Sequence, residues 1–243
     1  MLNTDVVLSW TLIHLFAQQQ YLVKVKEEIS AFMSENSTIF SSPSGLPPTL
    51  LSTIEDPKTF PMLDASLQEA IRIRSASIAI FRRNVSPDAV DVDGVKVPPN
   101  AFVVYPLGDA HYENGVWGNT DVSEFDPERV VMGKQKDGNG QLNADFLGFG
   151  AGTLFFYYSV FFFPFLPQLL TNWCLGLHVC SGRRIARLLM KLCAVYILSQ
   201  YDISLKDRDG SPISMVPSTT PSLFKLSLPD EGEEVTLSFR RKA

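Results

Sequence analysis

The chain has 243 residues, enough for one large domain or two small ones, and 45% of them are hydrophobic, enough to supply a core. A net charge of −5 argues against nucleic acid as a partner. Three cysteines, Cys174, Cys180 and Cys193, make no disulfide framework and fit a reducing compartment. The N-terminal apolar run carries Asp5 and His14 and lacks a basic leader, so it does not read as a signal peptide. No internal repeat is visible.

Residues 2–34 are predicted to be helical, as two helices. Leu8, Leu12, Leu15 and Phe16 recur at three and four, and Tyr21, Val25, Glu28 and Ile29 continue the pattern. Residues 35–60 read as a loop because Ser, Pro and Thr dominate them. Pro61 suits the first turn of a helix over 61–75, on which Leu63, Leu67, Ala70 and Ile71 keep helical spacing. Glu69 and Arg72 are three apart on that helix, so they share a face and can pair.

Residues 76–108 are predicted as strands. They include a hairpin over Val90–Val97 with Asp93-Gly94 as its turn, and an apolar strand over Ala101–Tyr105. Residues 109–145 read as irregular and contain the motif Pro127-Glu128-Arg129. His111 has no metal-spaced partners and reads as a turn or packing residue.

Phe146–Leu177 carries no charge and is rich in Phe, Tyr and Leu. Its length suits a membrane span, which takes about 20 apolar residues, but Pro164 and Pro167 disfavour a regular helix. A helix is predicted over 181–200, with Ile185, Leu188, Leu189, Leu192 and Tyr196 on one face. Arg184, Arg187 and Lys191 form a basic stripe on it, and a solvated helix face is the plain reading of such a stripe. Residues 201–243 read as strands and turns.

Removing Thr153–Gly176 joins Phe149-Gly150-Ala151-Gly152 to Leu177-His178-Val179-Cys180-Ser181-Gly182-Arg183-Arg184-Ile185-Ala186. The joined string resembles the haem-binding loop of the cytochrome P-450 family, F-G-x-G-x-H-x-C-x-G-R-x-x-A. Glu69, Arg72 and Arg129 resemble that family's buried structural triad, which locks the meander beneath the haem. Asn3, Thr4 and Trp10 resemble the end of its oxygen-side helix.

The resemblance implies a mainly α fold with small β-sheets (α+β). It makes the whole chain, 1–243, a partial P-450 domain corresponding to the C-terminal half. It implies a Cys180 thiolate as axial ligand of haem iron, held charged at a helix N-terminus. Phe149, Gly150, Gly152, Gly182 and Arg183 would complete the cradle. His178 would bond a haem propionate, as would Arg83, with Arg82 as the alternative. Thr4 would belong to the proton-delivery groove, or would simply cap a helix. Ser75–Ala79 would line a pocket for a small apolar substrate.

The family further implies an NADPH-dependent reductase as electron donor, docking on the side of the basic stripe. It implies an anchor to the cytosolic face of the endoplasmic reticulum membrane in the full-length parent. Two other functions stay open: a haem-thiolate isomerase or dehydratase, and a mis-spliced fragment that binds no haem.

A membrane span at Phe146–Leu177 would part Gly152 from His178 within one loop. Thr153–Gly176 therefore reads as a non-native insertion, a translated intron. Gly152-Thr153 can encode a GT donor, Leu170-Thr171 a branch site and Leu175-Gly176 an AG acceptor.

Overall fold

A computed structural model of the chain describes residues 4–36, 46–74, 79–106, 111–112, 117, 121–136, 148, 153–154, 176–177, 182–213, 215–219 and 229–242. Two helices open it, α1 (Thr4–Ala17) and α2 (Gln19–Glu35). They share one apolar seam, in which Leu12, Leu15, Leu22, Val25, Ile29 and Phe32 are buried in a single cluster. Helix α3 (Pro48–Glu55) follows, then α4 (Pro61–Ile73). Both carry Pro in the first turn, where the missing N–H costs no intrahelical bond. Buried Ile54, Phe60, Leu63 and Leu67 carry the core on from α2.

Four strands follow. β1 (Ala79–Arg83) pairs antiparallel with β4 (Phe102–Pro106), and β2 (Val90–Val92) pairs with β3 (Val95–Val97). The β2–β3 turn puts Asp93 at φ 49° and Gly94 at φ 82°, the doubly left-handed geometry for which Asp-Gly is favoured. Helix α5 (Pro127–Lys136) comes next. The two-residue strands β5 (Thr153–Leu154) and β6 (Gly176–Leu177) pair antiparallel. The long α6 (Arg183–Gln200) leads directly into β7 (Tyr201–Lys206), which pairs with β8 (Thr236–Arg241) along its whole length. This is the expected helix-rich class with small antiparallel sheets. Among the described residues no helix is long and apolar enough to cross a membrane.

Three expectations need correction. The stretch 35–60 holds α3, because Leu50, Leu51 and Ile54 keep helical spacing after Pro48. The stretch 109–145 holds α5, whose first residue is Pro127 and whose first turn carries Glu128, an acid at the positive end of the helix.

The third concerns α6. Its buried residues are Met190, Lys191, Ala194, Val195 and Leu198, whereas Ile185 is 63% exposed and Tyr196 is also exposed. Leu188 and Leu192 of the expected face do pack, partly buried, against the core, so that face turns only partly inward. The basic stripe is not a solvated face either. Arg187 and Lys191 turn inward, both onto Asp64.

Candidate functional site

Helix α4 presents Glu69 and Arg72 on its inner face, and both side chains are fully buried. Arg72 Nε donates to Glu69 Oε2 at 2.9 Å, and Arg72 Nη2 donates to Glu69 Oε1 at 2.8 Å. The first turn of α5 brings Arg129, 5% exposed, whose Nε donates to the same Glu69 Oε1 at 2.9 Å. The backbone N–H of Asp126 adds a fourth donor at 3.1 Å. Two guanidinium groups thus share one carboxylate, and bidentate charge-assisted bonds of this kind are the strong ones.

The remaining guanidinium N–H groups close on described residues between β4 and α5, of which His111, Tyr112 and Trp117 are helical. Arg72 Nη1 donates to the His111 carbonyl at 2.7 Å and Nη2 to that of Glu124 at 3.4 Å. Arg129 Nη2 donates to the carbonyls of Asp121 at 3.0 Å and Glu124 at 3.2 Å. The Trp117 carbonyl accepts from Arg129 Nη1 at 3.4 Å. Arg72 also lies 5.5 Å from the ring centres of Tyr112 and Trp117. The clamp therefore supplies the carbonyls of His111, Trp117, Asp121 and Glu124 with guanidinium donors. The His111 ring packs edge-on against Trp117, 6.2 Å between centres, as a packing residue would.

Beside the clamp a cavity of about 510 Å³ is lined by His14, Tyr21, Arg74, Tyr112, Phe125 and Arg129, among others. His14 stacks on Phe125 at 4.5 Å with neither ring nitrogen hydrogen-bonded. Burial, and secondarily the Arg74 guanidinium, lower its pKa to about 3. Burial, with Arg72 second, lowers His111 to about 4. Tyr21 Oη donates to Asp126 Oδ1 at 3.0 Å, and burial first, then Asp126, pushes its pKa up to about 12. Sequence reasoning missed His14 as a buried polar group. Its neighbours Trp10 and Ile13 are apolar, which was the available signal.

The structure brings Glu69, Arg72 and Arg129 together. Gly182 precedes α6 as its N-cap, and Arg183 is that helix's first residue, half-buried. Thr4 is half-buried at the start of α1. Arg83 is exposed and donates from Nη2 to Asn100 Oδ1 at 2.6 Å, while the side chain of Arg82 lies outside the described residues. Phe149, Gly150, Gly152, His178 and Cys180 lie outside them too, as do Ser75–Ile78.

Replacing Glu69 by Gln removes the carboxylate that two buried guanidinium groups share, and leaves Arg129 the Asp126 carboxylate at 3.9 Å. The expected loss is about 3–5 kcal/mol of unfolding free energy, read by urea denaturation. His14 and His111 have folded pKa values below the ordinary 6.5. Their neutral burial therefore contributes stability in full above pH 6.5, and that contribution falls as pH drops toward about 4 and then about 3. Urea midpoints at about pH 7 and about pH 4.5 should differ less in His14→Phe than in the unaltered chain.

Comparison with known proteins places this arrangement. The family model described as Cytochrome P-450 matches residues 2–153. The monooxygenase nsrP of Aspergillus novofumigatus is 28% identical over 156 residues, 63% of this chain and 25% of that protein. The monooxygenase ORF5 of Penicillium roqueforti is 23% identical over 241 residues, 99% of this chain and 38% of that protein. The Pyrichalasin C-7 hydroxylase of Pyricularia grisea is 21% identical over 186 residues, 76% of this chain and 32% of that protein. The chain thus spans about a quarter to two fifths of the length of these relatives. With its family model covering more than half of its residues, this chain belongs to the cytochrome P-450 family.

Proposed function

We propose that this chain is the haem-binding part of a haem-thiolate monooxygenase that oxidises a small apolar organic molecule. The family match carries the reading, and fungal relatives named as monooxygenases or a hydroxylase support it. The reaction places one oxygen atom of O₂ in the substrate, with electrons from an NADPH-dependent reductase. The parent protein would sit at the cytosolic face of the endoplasmic reticulum membrane.

The described residues around the loop fit such a group. Cys180 precedes α6 by three residues in sequence, and the first turn of that helix carries no acidic residue, so a thiolate at its positive end would meet no like charge there. Ile185, 63% exposed, offers an apolar surface on the helix's first turn. Haem, when bound, supplies the activation of dioxygen. Cys180 would hold its iron. Phe149, Gly150, Gly152, Gly182 and Arg183 would shape the cradle, while His178 and Arg83 would bond its propionates. Thr4 would hold a proton on its hydroxyl at the oxygen side. Glu69, Arg72 and Arg129 would keep the segment beneath in place and touch no substrate.

Thr153–Gly176 is on this reading an insertion of intron origin. The family match ends at Thr153, its first residue, which supports that boundary. Thr153 pairs with Leu177 and Leu154 with Gly176, so the segment's two ends close on each other. A second reading, a non-functional product that binds no haem, is favoured by the position of that segment inside the cradle.

The test is haem titration of the chain and of a variant lacking Thr153–Gly176. The reduced-CO absorption band should stand at the thiolate position in the shortened variant and vanish with Cys180→Ser. No such band in either form would leave the second reading. Transcript reads that all retain the codons for 153–176 would remove the intron origin.

A further inference from the structure

The described residues hold a second buried ionic junction, and this one grips α6. Asp64, in the first turn of α4, is 0% exposed. Its Oδ1 receives Arg187 Nη2 at 2.6 Å and Lys191 Nζ at 3.1 Å, and its Oδ2 receives Gln68 Nε2 at 2.6 Å. Lys191 is equally buried and donates to the carbonyls of Ile54, Glu55 and Asp56 at 3.3, 3.1 and 3.4 Å. These carbonyls lie at the C-terminal end of α3, where a cation is favoured.

We propose that Asp64, with Arg187 and Lys191, is a positioning site that fixes the lie of α6 and thereby of Cys180, three residues before that helix begins. The proposal rests on the haem-thiolate reading. Arg187 and Lys191 stand on consecutive turns of α6 and meet one carboxylate. A turn of the helix by one residue, about 100°, would carry both cations off Asp64. So would a slide by one turn, about 5.4 Å. The carbonyls of α3 hold the same ammonium from a second direction. A metal ligand needs such support, because the groups behind it set its aim. Arg184 pairs with Glu55 at 2.6 Å but is 80% exposed, so solvent screens that pair and it adds little.

The experiment uses the whole chain, with and without added haem. Amide hydrogen exchange along α6 is compared in Asp64→Asn, Arg187→Gln and Arg187→Lys. Exchange over 183–189 should rise about tenfold or more in the first two, with α1 and α2 unaltered. In the haem-loaded forms the reduced-CO band should leave the thiolate position, and Arg187→Lys should restore much of both signals. Unchanged exchange and an unchanged band overturn the proposal. So does a uniform rise across all helices, which is what general loosening would give. If Asp64→Asn does not fold, Arg187→Gln decides, since Lys191 still holds Asp64 there. If neither the unaltered chain nor the variant lacking Thr153–Gly176 takes up haem, or Cys180→Ser keeps the thiolate band, the haem-thiolate reading fails. The exchange measurement then decides the coupling of Asp64 to α6 without it.

Discussion

The carboxylate of Glu69 has two guanidinium groups and a backbone amide on it. The partly exposed Asp126 carboxylate, 3.9 Å from Arg129 Nη2, is a second anion beside these two cations. The two guanidinium groups also donate five bonds to the carbonyls of His111, Trp117, Asp121 and Glu124. These carbonyls thereby have charged donors. Removing any charge would therefore disturb the path of the backbone as well as the ion pair.

The Asp64 junction repeats the device with the signs balanced differently. One carboxylate again serves two cations, but the second cation is a lysine whose ammonium also takes three carbonyls at the end of a helix. Glu28 adds a neighbouring anion, whose Oε1 and Oε2 accept from the N–H groups of Met62 and Leu63 at 2.6 and 3.1 Å. Burial raises the pKa of that carboxyl, and the two N–H bonds oppose the rise. Helix α4 is thus held at its start by Asp64 and Glu28 and near its end by Glu69. Its two ends face different parts of the chain, α6 and the segment ahead of α5. It carries buried ion pairs both to α6 and to α5.

The two junctions were not equally legible in the sequence. Glu69 and Arg72 are one helical turn apart, so their pairing is local. Arg129 could be joined to them only through a family resemblance, because sixty positions separate it from Glu69. Asp64 and Arg187 lie 123 positions apart, and nothing local links them. Arg184, Arg187 and Lys191 repeat at helical spacing, which is equally the pattern of a solvated stripe, and only the packing of α3 and α4 against α6 separates the two. The helices missed at 48–55 and 127–136 carried a legible signal, Pro in the first turn, which the surrounding Ser, Pro and Gly outweighed. How far the expected face of α6 turns inward was illegible on principle, since periodicity reports that a face is apolar and not what will cover it.

The proposed insertion raises a different physical question, which is how a fold would accommodate residues placed between Gly152 and His178. An insertion is tolerated when the chain leaves and returns at neighbouring points, because closure entropy grows only slowly with loop length. The pairing of Thr153 with Leu177 supplies that condition. The connection is thus made by backbone bonds of two residues on each side, a short ladder of the kind that is marginal by itself.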